Sequence, residues 1–233
     1  MQTLFVTGTD TNVGKTFVSC LLIRKLRTTG LTVGAYKPAC SGAELNSAGE
    51  TVWSDVEALR SAMGDEYPLD LICPQRFHAA VAPNVAADLE GVAVSNEMLR
   101  TGFAAWTEKT DALIIEGAGG IFCPLSNDLT VLDLATEIGA PVVVVAANRL
   151  GVISHTRLTV ERLRQNGLNV AAIVLNEVHA SEATDSSLMT NAGQLAHWIP
   201  NIALLKVAHG SEIMTVLERD QQLTNQLLKR AVQ

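Results

Sequence analysis

Six short apolar runs, separated by helical patterns and glycine-rich turns, restrict the fold of this 233-residue chain more than any other feature. They are Thr3–Thr7, Thr32–Tyr36, Ala112–Glu116, Val142–Ala147, Ala171–Leu175 and Ile202–Val207. Most are continuously apolar rather than alternating, as strands covered on both faces are. Phe17, Leu21, Leu22 and Leu26 share one face of a helix that begins at Lys15 and stops at Gly30. Ser54 with Glu57 three residues later predicts a capping box, opening a helix that ends at Gly64. Leu99, Phe103 and Trp106 predict one helix at i, i+4, i+7. Further helices are expected over Thr130–Gly139, His155–Gly167 and Ser211–Arg230. This β-α-β alternation predicts an α/β domain, doubly wound, with a mostly parallel sheet and helices on both faces. Hydrophobic residues make up 48% of the chain, enough to bury such a sheet, and no linker divides residues 1–233, so a single domain is expected.

In open parallel sheets, ligands sit beyond the carboxyl ends of the strands. The glycine-rich and polar stretches of this chain follow strands in that way. The first, Gly8–Thr16 (GTDTNVGKT), lies between a strand and a helix, the setting of a phosphate loop. The generic loop has four residues between its first Gly and Gly-Lys-Thr, whereas here five intervene, Thr9–Val13. Gly8 and Gly14 let backbone N–H groups turn inward, and the helix adds its positive end. Lys15 is placed to neutralise β/γ-phosphate charge and the Thr16 hydroxyl to ligate Mg²⁺. The fold expected is therefore P-loop NTPase-like.

Lys37 follows the second strand in YKPACSG, where Ser41 and Gly42 supply a hydroxyl and a free amide. By position alone it reads equally as a solvated charge. Asp55 falls in the first turn of its helix, where a carboxylate often serves only the helix dipole. Glu116 closes ALIIEGAGG; an acid there is how phosphate-loop enzymes hold Mg²⁺, directly or through water. Gly117, Gly119 and Gly120 leave room for a substrate. Thr16, Asp55 and Glu116 together suit Mg²⁺, which favours hard oxygen ligands. The five histidines show no metal spacing, and neither a G-x-S-x-G element nor a Cys/His pair is recognisable. The polar stretch Ala43–Trp53 reads as a loop that closes on ligand.

Net charge is −7, a poor match to unspecific nucleic-acid binding. Cys20, Cys40, Cys73 and Cys123 are widely spaced and read as reduced thiols. The longest apolar run, Ala140–Ala147, is too short to span a bilayer. A cytoplasmic protein without membrane or nucleic-acid partners is expected.

Seven stretches, VTGTDTNVGKT, GAYKPACSG, SDVEAL, APNVAA, IIEGAGG, PLS and LGVISHT, occur in the order found in dethiobiotin synthetases. From Thr7 to about Asn176 the chain resembles that family, and the longer loop is itself a family feature. The resemblance implies ATP and Mg²⁺ as cofactors. Gly8, Thr11, Asn12, Val13, Gly14, Lys15 and Thr16 would surround the triphosphate, and Thr16, Asp55 and Glu116 the metal. Lys15 and Lys37 would polarise carbamate and γ-phosphoryl oxygens, with Thr11 beside them. Ser41 and Asn12 would contact the diamine or its carbamate, and Gly117, Ala118 and Gly119 would line it. Gly151, Val152, Ile153 and Ser154 would offer a helix N-terminus to the substrate carboxylate across a homodimer. Asn176 would recognise the base.

The implied reaction forms a cyclic urea from 7,8-diaminononanoate, CO₂ and ATP through a carbamate and a carbamic–phosphoric anhydride, in biotin synthesis. Two positions depart from the pattern. Residue 12 is Asn where the family often has an acid, and LLKVAHGSE lacks the Gly-x-x-Pro often found near the base. A rival class, the partitioning and site-selection switch ATPases, shares the loop but places a Lys early in it. Here those positions are Asp10, Thr11 and Asn12, and the tail Leu217–Gln233 carries mixed charge.

Overall fold

A computed structural model describes residues 1–180 and 186–216. In chain order, β1 (Gln2–Gly8) leads through the loop to α1 (Lys15–Arg27) and β2 (Val33–Tyr36). Short pairings follow: β3 (Cys40–Ser41), β4 (Glu44–Leu45) and β5 (Thr51–Val52), then α2 (Ser54–Ala62), α3 (Leu69–Ile72) and β6 (Arg76–Phe77). Helices α4 (Pro83–Leu89) and α5 (Asn96–Thr101) and a 3₁₀ turn (Gly102–Trp106) precede β7 (Ala112–Gly120). The rest is α6 (Val131–Ile138), β8 (Val142–Ala147), α7 (Val152–Gln165), β9 (Val170–Asn176), α8 (Ser186–Trp198), β10 (Ala203–Val207) and β11 (Met214–Val216).

Seven strands form one sheet in the order β11-β10-β9-β8-β1-β7-β2, parallel except for β11, which runs against β10. The chain steps from β1 toward β2 and later from β7 back across β1 to β8. Right-handed crossovers in opposite directions put α1 on one face and α6 and α7 on the other. The two directions diverge at β1, so the carboxyl ends of β1 and β7 open into a crevice. β1 is buried from Leu4 to Thr7 and β7 from Ala112 to Glu116, as their unbroken apolar runs require.

Five sequence expectations change. Ser54 is the first helical residue rather than the cap: Trp53 caps α2 through its carbonyl, which accepts from Val56 N and Glu57 N, and no side chain caps. The capping box forms instead at α6, where Thr130 and Asp133 exchange side-chain-to-backbone bonds. The helix expected through Leu99 and Trp106 breaks at Gly102, where a Cβ would meet the Tyr36 hydroxyl at 2.2 Å. Phe17 does not join the buried face of α1; it is 38% exposed and turns toward the crevice. Within the expected C-terminal helix, Met214–Val216 is a strand, and residues 217–230 lie outside the described residues. The stretch read as a polar loop contains the β4–β5 hairpin.

Candidate active site

The phosphate loop owes its shape to two left-handed residues, Asn12 at φ 56° and Gly14 at φ 88°. Asn tolerates this region better than other side chains because its short amide bonds locally. Gly14 has a second reason to lack a side chain: a Cβ would lie 2.1 Å from Asn176 Nδ2. That buried amide, at the end of β9, donates to Val13 O at 3.0 Å and braces the loop from behind. At the mouth of the loop, Asp10 Oδ1 accepts from Thr11 N at 2.7 Å.

Behind the loop stands a buried charge cluster. Lys37 Nζ donates to Glu116 Oε1 at 2.6 Å and to Asp55 Oδ2 at 2.8 Å. Lys37 is 3% exposed, Glu116 0%, while the Asp55 side chain is 47% exposed at the rim. Thr16 Oγ1 donates to Glu116 Oε1 at 2.7 Å, and Ser19 Oγ to Oε2 at 2.6 Å. Lys15 Nζ reaches Asp10 O at 3.3 Å.

These surroundings set the charges. Burial alone would pull the Lys37 pKa down, but the Glu116 and Asp55 charges outweigh it and hold the ammonium well above its ordinary range. Burial likewise pushes the Asp55 carboxyl up; the Lys37 charge and its hydrogen bond reverse this and hold it low. Lys15 is pushed down, by burial first and then by Lys37. Burial raises the Cys40 thiol to about 11 and lifts that of Cys123. Both cysteines line the site, and neither is set up as a thiolate nucleophile.

A crevice of about 730 Å³ opens over this cluster. It is lined by Thr11, Asn12, Gly14, Lys15, Thr16, Lys37, Ser41, Asp55, Ala118 and Gly119. Its far wall, Ala80–Pro83, is apolar and tied down by Ser41 Oγ, which donates to Val81 O at 2.5 Å. Among the described residues no group of three or more His, Cys, Asp or Glu is placed to hold a metal. The oxygen set present is Thr16, Asp55 and Glu116: the two carboxylates meet at Lys37, and the Thr16 hydroxyl bonds Glu116. A set that small fits Mg²⁺, which keeps water and nucleotide oxygens as its other ligands.

Comparison with known proteins bears on this arrangement. A family profile described as an AAA domain matches residues 2–227. A protein named ATP-dependent dethiobiotin synthetase BioD, from Anaeromyxobacter sp. (strain Fw109-5), is 41% identical over 227 residues, 97% of each chain. Its namesake from Anaeromyxobacter dehalogenans (strain 2CP-C) is 42% identical over 94% of this chain and all of its own. The chain belongs to the ATP-dependent dethiobiotin synthetase family. A more distant member, from Rhodopirellula baltica, is 38% identical over 88% of this chain and 84% of its own. The solved chloroplast FtsY of Physcomitrella patens is 11% identical, with a TM-score of 0.54 over 96% of this chain and 64% of its own, and shares the fold alone.

Within this family member, the residues expected from sequence fall into three groups. Ten line the crevice as described. Gly8, Val13, Glu116, Gly117 and Asn176 lie behind it: Val13, Glu116 and Asn176 are buried, and a Cβ on Gly117 would strike Val131 at 2.8 Å. Gly151–Ser154 stands apart, at the start of α7, with Gly151 left-handed at φ 93° and Val152 buried. Residues missed from sequence include Ser19, which bonds Glu116, and the lining residues Phe17, Cys40, Ala80–Pro83, Cys123 and Val178. Ser19 had one signal: it follows Thr16 by three positions, on the same helix face.

Proposed function

We propose that this chain closes the ureido ring of dethiobiotin from 7,8-diaminononanoate, CO₂ and ATP, releasing ADP and phosphate. The observation that carries the reading is Lys37, held as a buried cation between Asp55 and Glu116 and facing the same crevice as Lys15. Family membership supports the reaction class, and the crevice supports its economy. Two lysines converge on one cavity, the carboxylates beside them are tied to Lys37, and neither lining thiol is activated.

The chemistry asks little covalent help of the protein. One amine of the diamine attacks CO₂, forming an N–C bond and shedding a proton to give the carbamate. A carbamate oxygen then takes the γ-phosphoryl group as the bond to ADP breaks. The second amine attacks the same carbon, and phosphate leaves with the electron pair of its C–O bond. Phosphoryl transfer depends on positioning and charge neutralisation, which Lys15 and Lys37 supply at the phosphate and carbamate oxygens. Ring closure joins two amines already tethered, so holding the diamine against Ser41, Thr11 and Gly117–Gly119 supplies much of the acceleration. Asn12 contributes a neutral amide to the diamine. Thr16, Asp55 and Glu116 would hold Mg²⁺, whose role when bound is to neutralise β- and γ-phosphate charge. Asn176, buried at the loop's rear and bonded to Val13, would recognise the base.

The active form is a homodimer. The α7 start, Gly151–Ser154, does not reach the crevice of its own chain, and its N–H groups suit a carboxylate presented by a partner. Leu150 precedes it, Leu158 lies on α7, and Phe122 lines a groove with His155 and Leu158 of that helix; all three apolar side chains are exposed in the single chain. No described helix is long and apolar enough to cross a membrane, and the acidic chain works in the cytoplasm. Phosphate release from MgATP and bicarbonate tests the reaction. The diamine should accelerate it at least tenfold; release indifferent to the diamine contradicts the reading.

A further inference from the structure

One turn of α1 grips both oxygens of a single carboxylate. Thr16 Oγ1 donates to Glu116 Oε1 at 2.7 Å and Ser19 Oγ to Oε2 at 2.6 Å. Residues three apart share a helix face, so both hydroxyls reach the end of β7 together. The two have different surroundings. Thr16 lines the crevice, whereas Ser19 is 0% exposed and does not line it.

The terminal torsion of a glutamate is soft, so contacts to one oxygen alone do not fix the carboxylate plane. Lys37 cannot fix it, because it binds the same Oε1 as Thr16 and is shared with Asp55. Ser19 occupies the other oxygen and removes the rotation. We propose that Ser19 is a positioning residue: its hydroxyl pins Glu116 Oε2, so that Oε1 stays directed at Thr16, Lys37 and the nucleotide-bound cation. This rests on the reading of Glu116 as a holder of Mg²⁺. Hydrogen-bond partners one shell outside a metal ligand set its orientation, and their loss typically weakens metal affinity about 10–100-fold.

The test uses Mn²⁺ as the spectroscopic probe, bound to the full chain with ADP and followed by electron paramagnetic resonance. Ser19→Ala should weaken Mn²⁺ binding about tenfold or more. Ser19→Cys, which keeps the side chain's shape but donates weakly, should do likewise, so the result does not depend on one variant folding. In a Glu116→Gln background, Ser19→Ala should add no further loss. The proposal is overturned if both Ser19 variants bind Mn²⁺ like the wild type while Glu116→Gln does not. It is also overturned if the Ser19 loss persists undiminished beside Glu116→Gln, which marks a general structural effect. If Glu116→Gln itself binds Mn²⁺ normally, the metal reading fails first and takes the positioning role with it.

Discussion

Lys37 sits at 3% exposure with one partner fully buried and another at the rim, and this asymmetry gives the pair a pH signature. Asp55 is held below its ordinary 3.8, so its share of stability is present above that value and is lost as pH falls through the lower folded one. Lys37 is held above its ordinary 10.5, so its share is present below 10.5 and is lost as pH rises through the raised one. Asp55→Asn should therefore cost stability only between those limits. The cost should be about 1 kcal/mol or less, because the Asp55 side chain is half-exposed and screened. Urea unfolding of both proteins from pH 3 to 11 checks it; a constant difference across the range would contradict the ion pair. Lys37 and Glu116 were legible as candidates from sequence because one follows and the other closes an apolar run, in a sheet whose strand ends hold ligands. Ser19 was not, because a buried serine inside a helix looks the same whether it fills space or grips a carboxylate. Asn12, a departure from the family's acid, has a conformational fit: φ 56° suits an asparagine, and only the charge is given up.

At the scale of elements, the strands were read closely because continuous apolar runs have one good use, the buried parallel strand. β7 extends four residues past Glu116, through glycines that carry no strand propensity of their own and are held by pairing with β1 as far as Gly8–Gly120. Helix starts were harder, because Ser54 and Thr130 offer the same chemistry and only the backbone decides which residue caps. Thr130 has extended φ/ψ and takes the Asp133 N–H; Ser54 is already helical. Thr130→Ala should cost about 1 kcal/mol in urea unfolding, and Ser54→Ala should stay within about 0.5 kcal/mol. Equal costs would contradict the cap assignment. The break at Gly102 and the strand at Met214 were illegible for a different reason. Each depends on a partner distant in sequence: Tyr36 against Gly102, and Leu205–Val207 against β11.

For the whole molecule, the decisive fact is where the strand order diverges. β1 is the point from which the chain winds both ways, and it delivers the phosphate loop there, with β7 beside it delivering Glu116 and the glycines. β2, one strand further out, delivers Lys37. One crevice thus gathers residues spaced across most of the chain, which is why motif order in the sequence mapped so directly onto the site. Gly151–Ser154 did not map onto it: the segment starts α7, away from the crevice lining. The most direct measurement of the central claim follows ¹³C-labelled bicarbonate through the reaction with MgATP and 7,8-diaminononanoate, with product detected by ¹³C NMR and ADP counted in parallel. The account predicts one labelled urea carbonyl for each ADP formed, with both lost together in Lys37→Ala. ADP formed without a labelled ring, or a ring formed without ADP, would contradict it.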